Sequence, residues 1–465
     1  MRKRLFKEFS YSLVANVISM VVGMLSVLII PKFIGVDQFG YYQLYLFYIG
    51  YVTITALGLA DGNYLRIGGA VYNSLDRREQ NSQLWILLFS QSILYFVILI
   101  VVSVFSQNDE RTVYIYVCTC AIIVHIRYYL YLTLQATERI KEYAIIIITE
   151  RLISVLISTI LVLCGYKGYK YLVLLDVIGR GISLLIAIYY CKDYVFLRPH
   201  IEKEHIKKAI LNIRAGAMVL FATLSSSIIV GISRFAVQQS WGIEAFSKIS
   251  LTVSISNMAT RCINAVGIVM FPALRKLEKE KLPEIYKNIN TLLMNLIFAA
   301  FIFYKPAVYV LGIWLPKYSD SLKYAAILLP VCAYECKNVM LISTYLKTLF
   351  KEKMLLLSNV IAIAMSLIGT IISVYLFNSM EAVMISLLVS LMVRCVISEL
   401  YIGRILAFRT IGNVISESIM VLSFIICNWY MGLLGFVLYL LIDCVYLYMN
   451  RVKLSYYLGQ LVKRG

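Results

Sequence analysis

Long apolar runs alternate with short polar breaks along the whole chain. An α-helix needs about 20 apolar residues to cross the ~30 Å hydrocarbon core of a bilayer. Fourteen runs approach that length, near residues 9–30, 41–60, 83–105, 113–134, 144–164, 171–190, 212–233, 245–271, 288–304, 322–345, 354–377, 382–401, 412–428 and 431–449. The ninth can continue past Pro306. Every connection is short, which leaves no room for a folded extramembrane domain. The pattern predicts an all-α polytopic membrane protein with about fourteen transmembrane helices.

Polar residues inside these runs keep a helical period. Ser247, Ser250, Ser254, Asn257, Arg261 and Asn264 follow steps of three and four, which place them on one stripe of one helix. Ser12, Asn16, Ser19, Gly23 and Ser26 form a similar stripe in the first span, and Tyr45, Tyr48 and Thr55 one in the second. A stripe of small residues also suits close helix packing, and for the first span both readings stay open. Packing does not call for an arginine. A charged side chain at mid-membrane costs about 2.5–3.5 kcal/mol, so Arg261 is expected to face a protein interior or a water-filled cavity holding a polar or charged substrate.

A shift of 202 residues superposes two hairpins. Lys32-Phe33 falls on Arg234-Phe235 and Phe39-Gly40 on Trp241-Gly242, while Tyr45, Tyr48 and Thr55 fall on Ser247, Ser250 and Asn257. The shift matches spans 1–3 with spans 7–9, an even displacement that keeps both halves in the same orientation. Two pseudo-symmetric six-helix lobes, residues 1–200 and 201–405, are therefore expected around a central cavity. Helices 13 and 14 and a tail follow at 406–465.

Composition sharpens this picture. The chain of 465 residues is 61% hydrophobic with a mean hydropathy of +0.81, well beyond soluble proteins at about 45–50% apolar. Its net charge of +19 is concentrated in the tails and alternate loops, as at Arg2-Lys3-Arg4, Lys203-Lys207-Lys208, Arg275-Lys276-Lys279-Lys281 and Lys463-Arg464. That asymmetry is the positive-inside pattern; it places both termini in the cytoplasm and argues against nucleic-acid binding. The opening MRKRLFKEFS resembles the start of a secretory signal, but the apolar run extends to about Ile30 without a small-residue cleavage site. It reads as an uncleaved first helix. Ten cysteines lie mostly within spans and form no CxxC pair, which suits small buried hydrophobes rather than metal or redox chemistry.

Charges within the spans suggest the cargo. Lys323, Arg151, Lys248 and Arg214 lie near span ends and can snorkel. Asp176 and Arg180, spaced i,i+4, can neutralise each other. Arg127, Arg261 and Arg394 have no acid within a turn of their own helix. The resulting balance reads as an excess of buried cations, which favours a phosphorylated cargo over a cationic one. Asp61, beside Asn63 and Arg66, suits a gate or coupling site and equally a helix-end cap; Asp443 is a second coupling candidate. A membrane enzyme is disfavoured. The only histidines are His125, inside span 4, and His200 and His205, in a linker, and no loop is large enough for a catalytic site.

Asn16, the segment Leu28-Ile29-Ile30-Pro31-Lys32-Phe33-Ile34-Gly35-Val36-Asp37-Gln38-Phe39-Gly40-Tyr41-Tyr42, the ending Ala56-Leu57-Gly58-Leu59 and the linker Thr133–Tyr143 resemble bacterial polysaccharide repeat-unit flippases. These are Wzx-type members of the multidrug/oligosaccharidyl-lipid/polysaccharide exporter superfamily. The resemblance implies alternating access in the bacterial cytoplasmic membrane. Undecaprenyl-pyrophosphate-linked oligosaccharide would pass from the inner to the outer leaflet for capsule, O-antigen or related glycan synthesis. It implies lipid-linked substrate and membrane lipids as partners, with a polysaccharide polymerase and a chain-length regulator nearby. A cation or drug exporter of the same superfamily is the alternative.

On this reading Arg261 grips pyrophosphate or an acidic sugar, aided by Lys248, Arg214, Asn257 and Asn264. Asn16, Tyr45 and Tyr48 meet the sugars, and Arg127, Arg180 and Arg394 either contact substrate or brace the lobes. No cofactor is expected. The membrane potential, or a H+ or Na+ gradient acting through Asp61 or Asp443, would supply the energy.

Overall fold

The computed structural model describes the backbone of residues 20–275 and 279–464, with side chains for 20–258 and 280–450. Among these residues there is helix and no strand. The helices are α1 (Met20–Phe33), α2 (Val36–Tyr51), α3 (Leu59–Ile67), α4 (Arg77–Phe105), α5 (Asn108–Ala136), α6 (Ile140–Leu163), α7 (Tyr169–Tyr190) and α8 (Lys203–Arg275). They continue with α9 (Leu282–Phe301), α10 (Tyr304–Trp314), α11 (Ala325–Thr348), α12 (Glu352–Tyr375), α13 (Met380–Ile405), α14 (Ile411–Tyr430) and α15 (Gly432–Arg464).

Among the described residues, ten helices are long and apolar enough to cross a membrane, or twelve if each of two bent pairs is one span. The count of fourteen is not reached by this measure. Span 9–30 is described only from Met20, and α8 counts once although Gly242 breaks it at φ 76° and ψ −172°. That break lies in the second repeat hairpin, where only glycine takes a positive φ without strain. The ninth span does run on past Pro306, as α9 and α10 joined at a 45° bend.

Chain contacts divide the protein into two units, Met1–Leu224 and Ser225–Gly465. The division falls inside α8, so residues 203–224 belong with the N-terminal unit. α14 and α15 lie within the C-terminal unit.

In the N-terminal unit, Leu59, Leu84, Leu87, Tyr129, Leu130, Ile146 and Ala187 form one apolar core. α4 presents Ile93, Phe96, Val97, Ile100, Val104 and Phe105 outward, an apolar face of the kind that a lipid bilayer covers. Its first turn is capped by Asp76, whose carboxylate accepts from the Arg78 and Glu79 amides. Membrane span 2 is broken. α2 passes through a 3-10 turn, Val52–Ala56, then Leu57 and Gly58 take left-handed φ of 51° and 81°, and α3 leaves at 62° to α2. α3 packs against the start of α8 through backbone: a Cβ on Gly62 would overlap the Asn212 carbonyl, and one on Gly216 the Gly58 carbonyl. Both contacts require glycine, as in close helix pairs within membranes.

In the C-terminal unit, a larger core joins Tyr286, Phe298, Leu328, Leu341, Tyr345, Met384, Leu391 and Phe424. α11 is its centre, with 83% of its most apolar window buried. Residues Asn338–Ile342 of α11 form a π-helical turn, a local irregularity frequent at functional sites.

Candidate functional site

Each unit carries its own polar interior. In the N-terminal unit it has three parts, the first at the break between α2 and α3. Thr55 Oγ1 lies 2.7 Å from Gln91 Oε1, 3.2 Å from the Tyr95 hydroxyl and 3.1 Å from His125 Nε2. Gln91 Nε2 donates to the Thr55 carbonyl at 3.2 Å. Gln91 and Tyr95 on α4 thereby satisfy backbone carbonyls that the interrupted helix leaves unpaired, while His125 on α5 meets the Thr55 side chain.

The second part is an ion network across four helices. Glu150 on α6 accepts from Arg127 on α5 and, at 3.2 Å, from Arg180 on α7. Arg180 also meets Asp176 at 2.6 Å, and Tyr45 on α2 donates to Asp176 at 2.9 Å. Two guanidiniums and two carboxylates leave no net charge.

The third part surrounds α3. Asp61 accepts from the Tyr128 hydroxyl at 2.8 Å, and Asn63 donates to Gln80 Oε1 at 2.9 Å. Arg66 donates to Asn212 Oδ1 at 3.0 Å and pairs with Glu79, which Lys208 reaches at 2.9 Å. Asp61 and Arg66 therefore fasten α3 to α4, α5 and α8.

The C-terminal unit holds two buried clusters. Arg394 on α13 is fully buried and donates to Glu335 at 2.8 Å and to Ser226 at 2.7 Å. Lys337 on α11 donates to Glu399 on α13 and Glu417 on α14, at 2.5 Å each. Asn290 on α9 completes that cluster by donating to Glu417 at 2.9 Å. Asp443 on α15 is fully buried and neither of its oxygens has a hydrogen-bond partner.

These clusters correct the sequence-based charge balance. The buried acids among the described residues are Asp61, Glu79, Glu150, Asp176, Glu335, Glu399, Glu417 and Asp443, against Arg127, Arg180, Lys337 and Arg394 as buried bases. The described interior has an excess of acids, not of cations. Spacing along one helix cannot reveal an acid contributed by another, and Glu150 was missed for that reason. Its place in the otherwise apolar run of span 5 was the available signal.

The other expected site residues fall in separate places. Lys248 pairs with Glu244 at 2.8 Å, Arg214 is exposed, and Asn257 is half-buried on α8. Tyr48 meets the Tyr114 hydroxyl at 3.3 Å, whereas Tyr45 points into the ion network. Asn16 lies outside the described residues. So do the side chains of Arg261 and Asn264, although α8 runs through both positions.

A family model described as "Polysaccharide biosynthesis protein" matches residues 5–278. No curated protein matches the sequence. Solved structures match the fold over nearly their whole length at low identity. An inward-facing multidrug resistance MATE family transporter of the MOP superfamily matches with TM-score 0.63 and 14% identity, over 87% of this chain and 99% of its own. The lipid II flippase MurJ, in an inward closed conformation, matches with TM-score 0.58 and 13% identity, over 96% and 100%. A MOP superfamily transporter from Pyrococcus furiosus, described as having a binding pocket of reverse polarity, matches with TM-score 0.54 and 14% identity, over 86% and 96%. The chain belongs to the polysaccharide biosynthesis protein family, and its fold is similar to that of MOP superfamily transporters.

Proposed function

We propose that the protein is a lipid-linked oligosaccharide flippase of the bacterial cytoplasmic membrane, with both termini in the cytoplasm. It moves undecaprenyl-pyrophosphate-linked repeat units from the inner to the outer leaflet by alternating access, for capsule, O-antigen or related glycan synthesis. A polysaccharide polymerase and a chain-length regulator receive the product. The observation that carries this reading is the polysaccharide biosynthesis family match across residues 5–278, on a fold similar to that of a lipid II flippase.

Arg261 grips the pyrophosphate or an acidic sugar, aided by Lys248, Asn257 and Asn264 after the Gly242 break and by Arg214 before it. Asn16, Tyr45 and Tyr48 provide hydrogen bonds to sugar. Arg127, Arg180 and Arg394 brace their units, since each already has a carboxylate partner. Outward movement of each negative charge across an inside-negative membrane releases about 2.3 kcal/mol per 100 mV, so the potential alone can drive a pyrophosphate. In a strain that depends on this protein, Arg261→Ala should abolish surface glycan while leaving the protein in the membrane. Export at the wild-type level would remove Arg261 from the site.

The excess of buried acids favours one second reading, export of an organic cation by the same fold. Accumulation of lipid-linked repeat units inside deletion cells supports the flippase. Unchanged glycan with heightened sensitivity to cationic drugs supports the exporter.

A further inference from the structure

We propose that Lys337, Glu399 and Glu417 form a proton-binding site inside the C-terminal unit, filled when Glu399 carries a proton. One ammonium bridges two carboxylates at 2.5 Å each. The three side chains are 1–4% exposed, which removes them from bulk solvent. The deprotonated cluster therefore carries one uncompensated negative charge, which a low-dielectric interior does not tolerate.

Among the described residues, no neighbouring group supplies the missing positive charge. Arg394 is committed to Glu335 at 2.8 Å. The other titratable groups that feel the cluster are neutral: Tyr334 on α11, Tyr286 on α9, Cys395 on α13 and Tyr446 on α15.

Hydrogen-bond accounting independently points to the same absent ligand. Lys337 donates to Oε2 of each glutamate, and Asn290 donates to Glu417 Oε1. Glu399 Oε1 and Asn290 Oδ1 are buried acceptors without a partner among the described residues. The cluster has too many acceptors and too few donors, and a proton corrects both deficits. An O–H bond forms at Glu399 Oε1 as an O–H bond of a hydronium ion in the aqueous phase breaks and leaves water, and the net charge of the cluster goes from minus one to zero. The π-helical turn Asn338–Ile342 follows Lys337 directly, so a change in charge at Glu399, the ion partner of Lys337, acts where the helix of α11 is already irregular. Using the site to drive transport rests on the transporter reading above. The existence of the site does not, and the following test needs no cargo.

Infrared difference spectra are recorded between about pH 9 and about pH 6, above the value of about 4.3 where exposed glutamates titrate, on the purified full chain in lipid nanodiscs. A C=O stretch of protonated carboxyl is expected, and carboxyl-13C glutamate should shift it, which separates it from any aspartate signal. Glu399→Gln should remove the band. Glu417→Gln should also remove it, because a neutral Lys337–Glu399 pair remains. Lys337→Gln should retain it to higher pH, since two carboxylates would then lack their cation. A glutamate band unchanged in both glutamine variants would overturn the proposal. So would the absence of any glutamate band in the wild type, or its replacement by a sodium-dependent carboxylate shift. If neither glutamine variant folds, Glu399→Asp keeps a carboxyl at the site: the band should persist but lose its shift with carboxyl-13C glutamate, and a band that still shifts would overturn the proposal.

Discussion

Replacing Glu150 by glutamine should cost the N-terminal unit more than any surface ion pair could. Glu150 is 5% exposed, with Arg127 on one oxygen and Arg180 at 3.2 Å from the other. Asp176 still neutralises Arg180 at 2.6 Å, so the substitution leaves Arg127 as a lone buried charge. Removing one partner from a buried pair costs about 3–5 kcal/mol. A unit of this size loses about 2–4 °C of Tm per kcal/mol, so a drop of roughly 6–20 °C is expected. A second substitution, Arg127→Gln, restores neutrality and should recover most of the loss. The assay is thermal unfolding in detergent followed by a thiol-reactive dye, because Cys118 and Cys120 are buried in this unit. A Glu150→Gln protein as stable as wild type, or a double variant no better than the single, would refute the bracing role.

Three further outcomes can be checked. Gly62→Ala and Gly216→Ala each place a methyl group on opposing backbone, so folded protein should be lost in size-exclusion profiles, whereas Gly181→Ala, with open space at its Cβ, should be tolerated. Thr55→Val leaves Gln91 Oε1 without its hydroxyl partner at the helix break, and a loss of about 1–3 kcal/mol should appear in thermal unfolding. Cys164 is exposed between α6 and α7, on the outer side by the positive-inside topology, and a membrane-impermeant maleimide added to intact cells should label it. Labelling only after the cells are opened would reverse the orientation.

Much of the fold was legible because it follows from local pattern. The apolar runs matched helices, the repeat hairpin marked the Gly242 break, and the i,i+4 spacing of Asp176 and Arg180 became a contact of 2.6 Å. Partners contributed by other helices left no such trace. Arg127 with Glu150, Arg394 with Glu335, and Lys337 with Glu399 and Glu417 join residues 23, 59, 62 and 80 positions apart. Only packing creates those pairs. Treating Arg127 and Arg394 as unpaired therefore overstated the positive charge of the interior, because a buried arginine implies an acid somewhere in space rather than nearby in sequence. The break after Ala56 was visible only as a Leu-Gly-Leu ending, since glycine within an apolar run is common and its φ is set by what lies against it.

The glycine contacts between α3 and α8 also bear on how the protein is made. Gly62 and Asn212 are 150 positions apart (212 − 62), so α3 emerges from the ribosome long before the surface that fits it. At about 5–20 residues per second, the wait is roughly 8–30 s. During that interval α3 has α4 and α5 to hold Asn63 and Asp61, but its glycine face has no partner. Nascent chains arrested before residue 203 should therefore leave α3 accessible to protease or chaperone, and chains arrested well beyond residue 224 should protect it. The broken span is completed late in biogenesis, by a helix that the ribosome has yet to deliver when the rest of its surroundings are in place.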